Sequence, residues 1–181
     1  MSNNIYFTAD LHLGHKKILD LANRDFDNIE KHDNYIIEKY NKIIDNEDIC
    51  YILGDICWNQ SYNSYKELFA KLNGKKYIIL GNHDNKQNLI RCQKEGLIES
   101  VKESQIINIG SNTIHLTHYP LLEWFNFYKN QYHLHGHTYC KMNDYCKSTD
   151  VGVDCWEFEP VNWNELRDYI DKYCEENKHF I

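Results

Sequence analysis

The sequence has few of the residues that mark fibrous or disordered proteins. Only 2 of its 181 residues are proline and 8 are glycine, whereas 42% are hydrophobic and 14% are aromatic, which excludes collagen-like and disordered compositions. No apolar run approaches the roughly 18 residues that cross a bilayer, so a helical membrane span is not expected. The length and the lack of a linker rich in Pro, Ser or Gly predict a single domain over residues 1–181.

Basic charge is also scarce. The formal net charge is -7, and only three residues are arginine, which argues against extended binding of nucleic acid. The seven cysteines include no C-x-x-C pair, and no secretory leader is evident. We therefore expect reduced thiols and a cytoplasmic location, with no membrane partner.

The hydrophobic pattern of the first half alternates between short β-type runs and amphipathic helical stretches. Such alternation predicts a mostly parallel sheet covered by helices. The second half is rich in strands and ends in a helix that starts at Asn162, with Glu165 as a capping-box partner. The predicted strands are 5–9, 49–53, 77–80, 105–109, 113–117 and 132–135.

Side chains that bind divalent metal ions follow five of these runs. A single Asp or His after a strand is more often a turn or cap residue, but here one ligand chemistry repeats at successive strand ends, which meet at one edge of a parallel sheet. Carboxylate, amide and imidazole ligands suit Mn, Fe, Co or Zn, and a carboxylate can bridge two ions. The pattern predicts a two-metal centre. The residues are Asp10, His12, Asp55, Asn82, His83, Asp84, His118 and His137.

Taken in order, these motifs resemble the calcineurin-like metallophosphoesterase superfamily, whose pattern is D-x-H, G-D, G-N-H-D/E, H and G-H-x-H. The segments 10–15, 117–121 and 151–154 further resemble a branch of small bacterial and phage phosphoesterases. The resemblance covers nearly the whole chain. It implies an α/β fold, a four-layer α/β/β/α sandwich of the metallo-dependent phosphatase type.

The resemblance also implies a role for each matched residue. It assigns Asp10 and His12 to a first metal ion, Asp55 to a bridging position, Asn82, His118 and His137 to a second ion, and His83 to the catalytic acid. The implied cofactors are two divalent transition-metal ions, manganese first, with Fe, Zn, Co or Ni as alternatives. A hydroxide bridging the ions would attack phosphorus in line, and His83 would protonate the leaving oxygen.

The chain departs from the family pattern at one ligand position. The last His of G-H-x-H is Tyr139, and a phenol with a pKa near 10 binds a divalent ion well only as phenolate. We expect Tyr139 not to be a ligand, so that water, His15 or another side chain completes the coordination of the first ion, or that ion binds more weakly than the second. His15 follows His12 by three residues, and it either reaches the site or substrate or is solvated in a first helical turn.

Other residues near the motifs have both a structural and a functional interpretation. We expect Asp84 to cap a helix and His32 to lie at the surface. Arg24 is expected on a solvated helix face, with phosphate clamping as the alternative. Trp58 and Tyr119 are expected at the rim of the cleft, where each either packs or stacks on a nucleobase.

We expect a metal-dependent phosphoesterase that hydrolyses phosphodiesters or phosphomonoesters, with small nucleotide-type substrates favoured. Two alternatives stay open. One is a metal-bound scaffold that keeps the fold without turnover, and the other is a small nuclease that trims oligonucleotides. The sequence does not indicate an oligomeric state.

Overall fold

Two β-sheets flanked by helices make up the computed structural model, which describes residues 4–177. The strands are β1 (Ile5–Thr8), β2 (Ile49–Ile52), β3 (Lys75–Ile79), β4 (Ser100–Lys102), β5 (Ser104–Ile109), β6 (Asn112–Thr117), β7 (Tyr132–His135), β8 (Ser148–Asp150) and β9 (Val161–Asn162). The helices are α1 (Ile18–Leu21), α2 (Ile29–Ile43), α3 (Tyr62–Phe69), α4 (Lys86–Lys94) and α5 (Trp163–Asn177). This is the mixed α/β class that the sequence predicts.

The first sheet has the order β4-β3-β2-β1-β9, and the second has the order β5-β6-β7-β8. Strands β1 to β4 pair in parallel, and β9 joins the edge antiparallel to β1. In the second sheet, β5 and β6 form an antiparallel pair, whereas β7 and β8 extend it in parallel. The predicted parallel arrangement of the first half is confirmed.

The predicted strands all form, but β4, β8 and β9 were not predicted. Each of these three has only two or three residues, and most of them are polar or charged. A segment this short carries too few side chains to show a period of two. Their pairing depends on neighbouring strands that are distant along the chain.

The first sheet is buried on both faces. In β2 and the residue after it, Cys50 and Ile52 pack towards α2, α3 and α4, whereas Tyr51 and Leu53 enter the layer between the two sheets. This division follows from the pleat, which points successive side chains to opposite faces. Trp163 and other apolar residues of α5 belong to the same core cluster as Tyr51 and Leu53.

Asparagine and serine side chains cap several of the helices. Ser61 caps α3 and Asn85 caps α4, each accepting a hydrogen bond from a backbone N–H in the first turn. The prediction that Asp84 caps this helix is wrong, because its carboxylate is directed into the loops described below. Helix α5 begins directly after Asn162, as predicted, and the Asn162 side chain accepts the N–H of Asn164 at 2.9 Å.

Membrane insertion through a helix finds no support within residues 4–177, where every helix is too short or too polar to cross a bilayer.

Candidate metal centre

The loops after several strands bring acidic and imidazole side chains together in two groups. Asp10, His12 and Asp55 form the first, and Asp55, His118 and His137 form the second, with the ligand atoms of each group within 4.8 Å of one another. Asp55 belongs to both groups. The structure therefore places the predicted ligands of both groups around one shared carboxylate.

Distances within the site centre on one oxygen of Asp55. Its Oδ2 lies 3.4 Å from His12 Nε2 and 3.6 Å from His118 Nε2. Asp10 Oδ1 lies 3.9 Å from His12 Nε2, and Asn82 Oδ1 lies 3.0 Å from His118 Nε2. The two imidazoles thus approach Asp55 Oδ2 together, and each has a second oxygen-bearing side chain beside it.

Backbone strain shapes this centre. Asp10, His12, Asp55 and His137 all have positive φ angles, between 49° and 73°, a region that residues other than glycine seldom occupy. Each such residue costs on the order of 1 kcal/mol or more and persists only where the surroundings hold it. The positive φ angles turn the backbone sharply at these four residues, and the turns direct their side chains into the candidate metal centre.

Gly54, directly before Asp55, has no room for a side chain. Its φ is +93°, and a Cβ there would lie 2.5 Å from His118 Nδ1 and 2.6 Å from the Cα of Gly81. Three loops therefore touch at this glycine. The G-D motif needs its glycine both for the backbone conformation and for this close approach.

Each of the two central carboxylates uses one oxygen to hold the loops. Asp10 Oδ2 accepts the His137 N–H at 2.7 Å, and Asp55 Oδ1 accepts the His83 N–H at 2.9 Å. The imidazole of His118 is oriented by a 2.8 Å contact between its Nδ1 and the Leu53 carbonyl. These contacts direct the remaining ligand atoms into the centre.

The remaining atoms are buried without hydrogen bonds. Asp10 Oδ1, Asp55 Oδ2 and His137 Nδ1 have no hydrogen-bond partner among the residues that the structure describes. An unpaired buried carboxylate oxygen is costly unless a cation neutralises it. The donor atoms and their burial therefore fit divalent metal ions.

Burial also shifts the pKa values of two predicted ligands. Burial, together with the nearby Asp150 and Asp55 carboxylates, raises the pKa of Asp10 well above its usual value. Burial, and then the charge of Arg24, lowers the pKa of His12 to about 2. His12 is therefore neutral at physiological pH, which is the form that binds a metal ion, and the crowded carboxylates are stabilised by bound positive charge.

Comparison with known proteins identifies the family. The sequence model of the calcineurin-like phosphoesterases matches residues 4–179. This chain belongs to the calcineurin-like phosphoesterase family. Membership supports a metal-dependent phosphoesterase in general, and the Asp and His groups above are where its metal ions could bind.

Relatives of this calcineurin-like phosphoesterase occur in phages and archaea. Gene 66 protein of Mycobacterium phage L5 is 26% identical over 203 residues, covering 96% of this chain and 97% of its own. An uncharacterized protein of Methanocaldococcus jannaschii is 28% identical, covering 93% and 92%. The structure of a protein of unknown function from Aquifex aeolicus aligns with a TM-score of 0.71 at 23% identity, covering 93% of this chain and all of that one, which shows a shared fold.

Tyr139 stands where the family pattern has a histidine. Its hydroxyl lies 3.0 Å from His12 Nε2, at the first group of ligands. Burial, and then the nearby carboxylates, raises the pKa of Tyr139 to about 12, so the phenol is neutral. That Tyr139 is not a ligand stays a prediction, although its oxygen is close enough to interact with whatever His12 binds.

His15 and His83 adjoin the same group. His15 is buried, its Nδ1 lies 3.3 Å from His12 Nδ1, and its ring stacks on Trp58 with centroids 4.0 Å apart. The solvated alternative for His15 is therefore wrong. The half-buried ring of His83 lies 5.6 Å from that of His12 and 5.7 Å from that of Trp58.

Arg24 is a structural residue that sequence reasoning assigned to a solvated surface. Only 4% exposed, it forms a bidentate pair with Asp154 at 2.9 and 2.7 Å and donates to the carbonyls of Asp10 at 2.7 Å and Leu11 at 3.2 Å. His32, also predicted at the surface, is fully buried, 2.9 Å from the guanidinium. Arg24 thereby fixes the strained backbone of the first motif. The sequence held one indication of this contact, since Asp154 is the last residue of the segment 151–154 that resembles the small phosphoesterases.

Asp84 holds two of the motif loops together. Its carboxylate accepts the N–H groups of Asp55 at 2.9 Å, Ile56 at 3.1 Å and Gly81 at 2.9 Å. The last residue of G-N-H-D thus fastens the G-D loop to its own loop.

Cys140 and Cys155 form a disulfide that links the loop after Tyr139 to the loop after Asp154. The expectation of reduced thiols is wrong for this pair. Their 15-residue separation matches no recognised spacing, and only the tertiary fold brings their Cα atoms to 5.2 Å. The other five cysteines are free and buried, as small apolar residues often are.

Proposed function

We propose that this protein hydrolyses phosphodiesters or phosphomonoesters, preferably of nucleotide type, with two divalent transition-metal ions, manganese foremost. The observation that carries the proposal is the position of Asp55 Oδ2, which is buried, unpaired and faced by both His12 and His118. A carboxylate shared in this way suits a bridging ligand. Two-metal hydrolytic sites are built around such a bridge.

In this proposal, Asp10, His12 and Asp55 hold one ion, and Asp55, Asn82, His118 and His137 hold the other. When bound, the cations supply Lewis acidity that neutralises the charge of the phosphoryl oxygens and lowers the pKa of the attacking water. The protein presets the shape of this site. The hydrogen bonds of Leu53, His83 and His137 to the ligand side chains keep the donor atoms in place.

His83 is the proposed acid. Its backbone N–H donates a hydrogen bond to Asp55 Oδ1, and its ring lies next to that of His12 at the edge of the site. From there the imidazolium protonates the leaving oxygen as the bond to phosphorus breaks, a role worth about 10²- to 10⁴-fold in rate. A scaffold without turnover has no need of this side chain.

Hydrolysis of p-nitrophenyl phosphate and bis-p-nitrophenyl phosphate with added Mn, Co, Ni, Zn or Mg tests the proposal. We expect His83→Ala to lower kcat by about 10²-fold or more with unchanged metal content, and Asn82→Ala to lower metal content as well. His115, a half-buried histidine of β6, provides the control His115→Ala.

Equal activity in wild type, Asn82→Ala and His83→Ala would refute the proposed site. Metal binding without turnover of either ester would favour the scaffold alternative. Oligonucleotides as a third substrate class test the nuclease alternative.

A further inference from the structure

An exposed indole stands beside the candidate metal centre. Trp58 is 50% exposed, in contrast to the buried Trp124 and Trp163. Packing against the protein therefore covers only about half of the Trp58 surface, and the other half is in contact with solvent. An aromatic ring that remains half in water next to a ligand site is suited to contact with a ligand.

Backbone pairing and ring stacking fix the position of Trp58. Its backbone N–H donates to the Leu13 carbonyl at 2.8 Å, and Leu13 and Cys57 form a parallel β-bridge. The ring stacks on His15 with an angle of 6° between the planes, and His15 contacts His12. The indole is thus a preordered flat surface that continues from the first group of ligands.

A shallow cleft, largely open to solvent, lies next to the indole. Its lining carries polar but uncharged side chains, and four of them are carboxamides, which present a donor and an acceptor in one plane. Carboxamides pair with the edges of nucleobases. The lining residues are Trp58, Asn59, Gln60, Ser61, Asn85 and Asn88.

Some carboxamides of this lining are hydrogen-bonded within the protein, whereas another has no such partner and can bind a ligand. Asn85 Oδ1 accepts the Asn88 N–H at 3.0 Å, and Asn88 Nδ2 donates to the Gln60 carbonyl at 2.8 Å. Within residues 4–177 the Gln60 carboxamide makes no hydrogen bond. The cleft therefore combines a flat apolar face with unused hydrogen-bonding groups, the two features that a base requires.

We propose that Trp58 and this cleft bind the base of a nucleoside phosphoester whose phosphoryl group lies at the metal centre. This inference rests on the proposed function and narrows its substrate class. Because the Trp58 ring is 5.7 Å from that of His83, the nucleoside lies on the leaving-group side. Water oxygen bonds to phosphorus, the bond from phosphorus to the nucleoside oxygen breaks, and that oxygen takes the proton.

AMP and ribose 5-phosphate test the inference, because they differ only in the base. The methyl diester of each serves as a second pair. We expect Trp58→Ala to lower kcat/KM for AMP by about 5- to 150-fold, the range for loss of one base stack, and to leave ribose 5-phosphate nearly unchanged. Tyr128→Ala is the matched control, since Tyr128 is 73% exposed and, among the residues that the structure describes, neither lines this cleft nor contacts a proposed metal ligand.

Quenching of tryptophan fluorescence by adenosine gives a readout without turnover. We expect quenching in the wild type and its loss in Trp58→Phe. Equal losses on AMP and ribose 5-phosphate, without quenching, would overturn the base site and leave the phosphoesterase intact. If the wild type hydrolyses none of the esters, the proposed function fails, and quenching alone then decides whether the cleft binds a base.

Discussion

Replacing Arg24 by methionine removes a buried guanidinium and keeps a side chain of similar length. Arg24 makes two hydrogen bonds to Asp154 and one each to the carbonyls of Asp10 and Leu11. Methionine can replace none of them. The variant leaves the Asp154 carboxylate, whose side chain is 9% exposed, without its cation.

The expected loss of stability follows from these contacts. Breaking one partner of a buried ion pair costs about 3–5 kcal/mol, and leaving two carbonyls less well paired adds about 1 kcal/mol each. Burial of the methionine side chain returns about 2 kcal/mol. We therefore expect Arg24→Met to lower the free energy of unfolding by about 4 kcal/mol.

Urea denaturation measures this loss, and Arg167→Met provides the control. Arg167 donates two hydrogen bonds to Asp168, at 3.1 and 2.7 Å, but its side chain is 36% exposed and that of Asp168 is 71% exposed. An exposed pair of this kind is worth about 1 kcal/mol or less. The two variants remove the same chemical group and differ in burial.

A difference below about 1 kcal/mol between Arg24→Met and Arg167→Met would refute the reasoning. Arg24→Lys keeps the positive charge but lacks the planar guanidinium that binds Asp154 with two nitrogens, so we expect a smaller loss of unfolding free energy. This loss can be measured even if Arg24→Met does not fold. Metal titration adds a second readout. Because Arg24 holds the carbonyl of Asp10, whose φ is +57°, its loss should also weaken metal binding.

Three further predictions concern single side chains. Tyr139→His should tighten binding of the first metal ion in calorimetric titration of metal-depleted protein, because imidazole is a better ligand than neutral phenol; unchanged affinity and stoichiometry would count against it. Burial, aided by nearby histidines, holds the pKa of His133 well below 6.5. As the pH falls below 6.5, the unfolded chain therefore binds a proton at this residue that the folded chain does not bind, and the free energy of unfolding decreases. His133→Gln should make the pH dependence of the unfolding free energy shallower by about 1.4 kcal/mol per pH unit, and an identical slope would contradict this. Asp84→Asn should cost about 2–3 kcal/mol, since an amide cannot accept all three N–H groups, and should lower metal content; an unchanged urea midpoint would disprove it.

Much of the fold was predictable because it depends on local chemistry. The strand and helix alternation of the first half follows from the period of apolar residues, which acts within a few residues. The order of Asp10, His12, Asp55, Asn82 and the later histidines predicted a common site, since parallel strands bring their carboxyl ends to one edge. Sequence alone also identified Tyr139 as the position that departs from the family.

The contacts that hold the site in shape were decided only by the tertiary structure. Arg24 and Asp154 are 130 positions apart, and nothing local distinguishes a buried arginine from an exposed one. Asp84 has the local pattern of a cap, yet the Asp55 loop brings two N–H donors to its carboxylate, and Gly81 of its own loop supplies a third. Local propensity determines which elements form, whereas burial and the pairing of distant loops depend on how those elements pack.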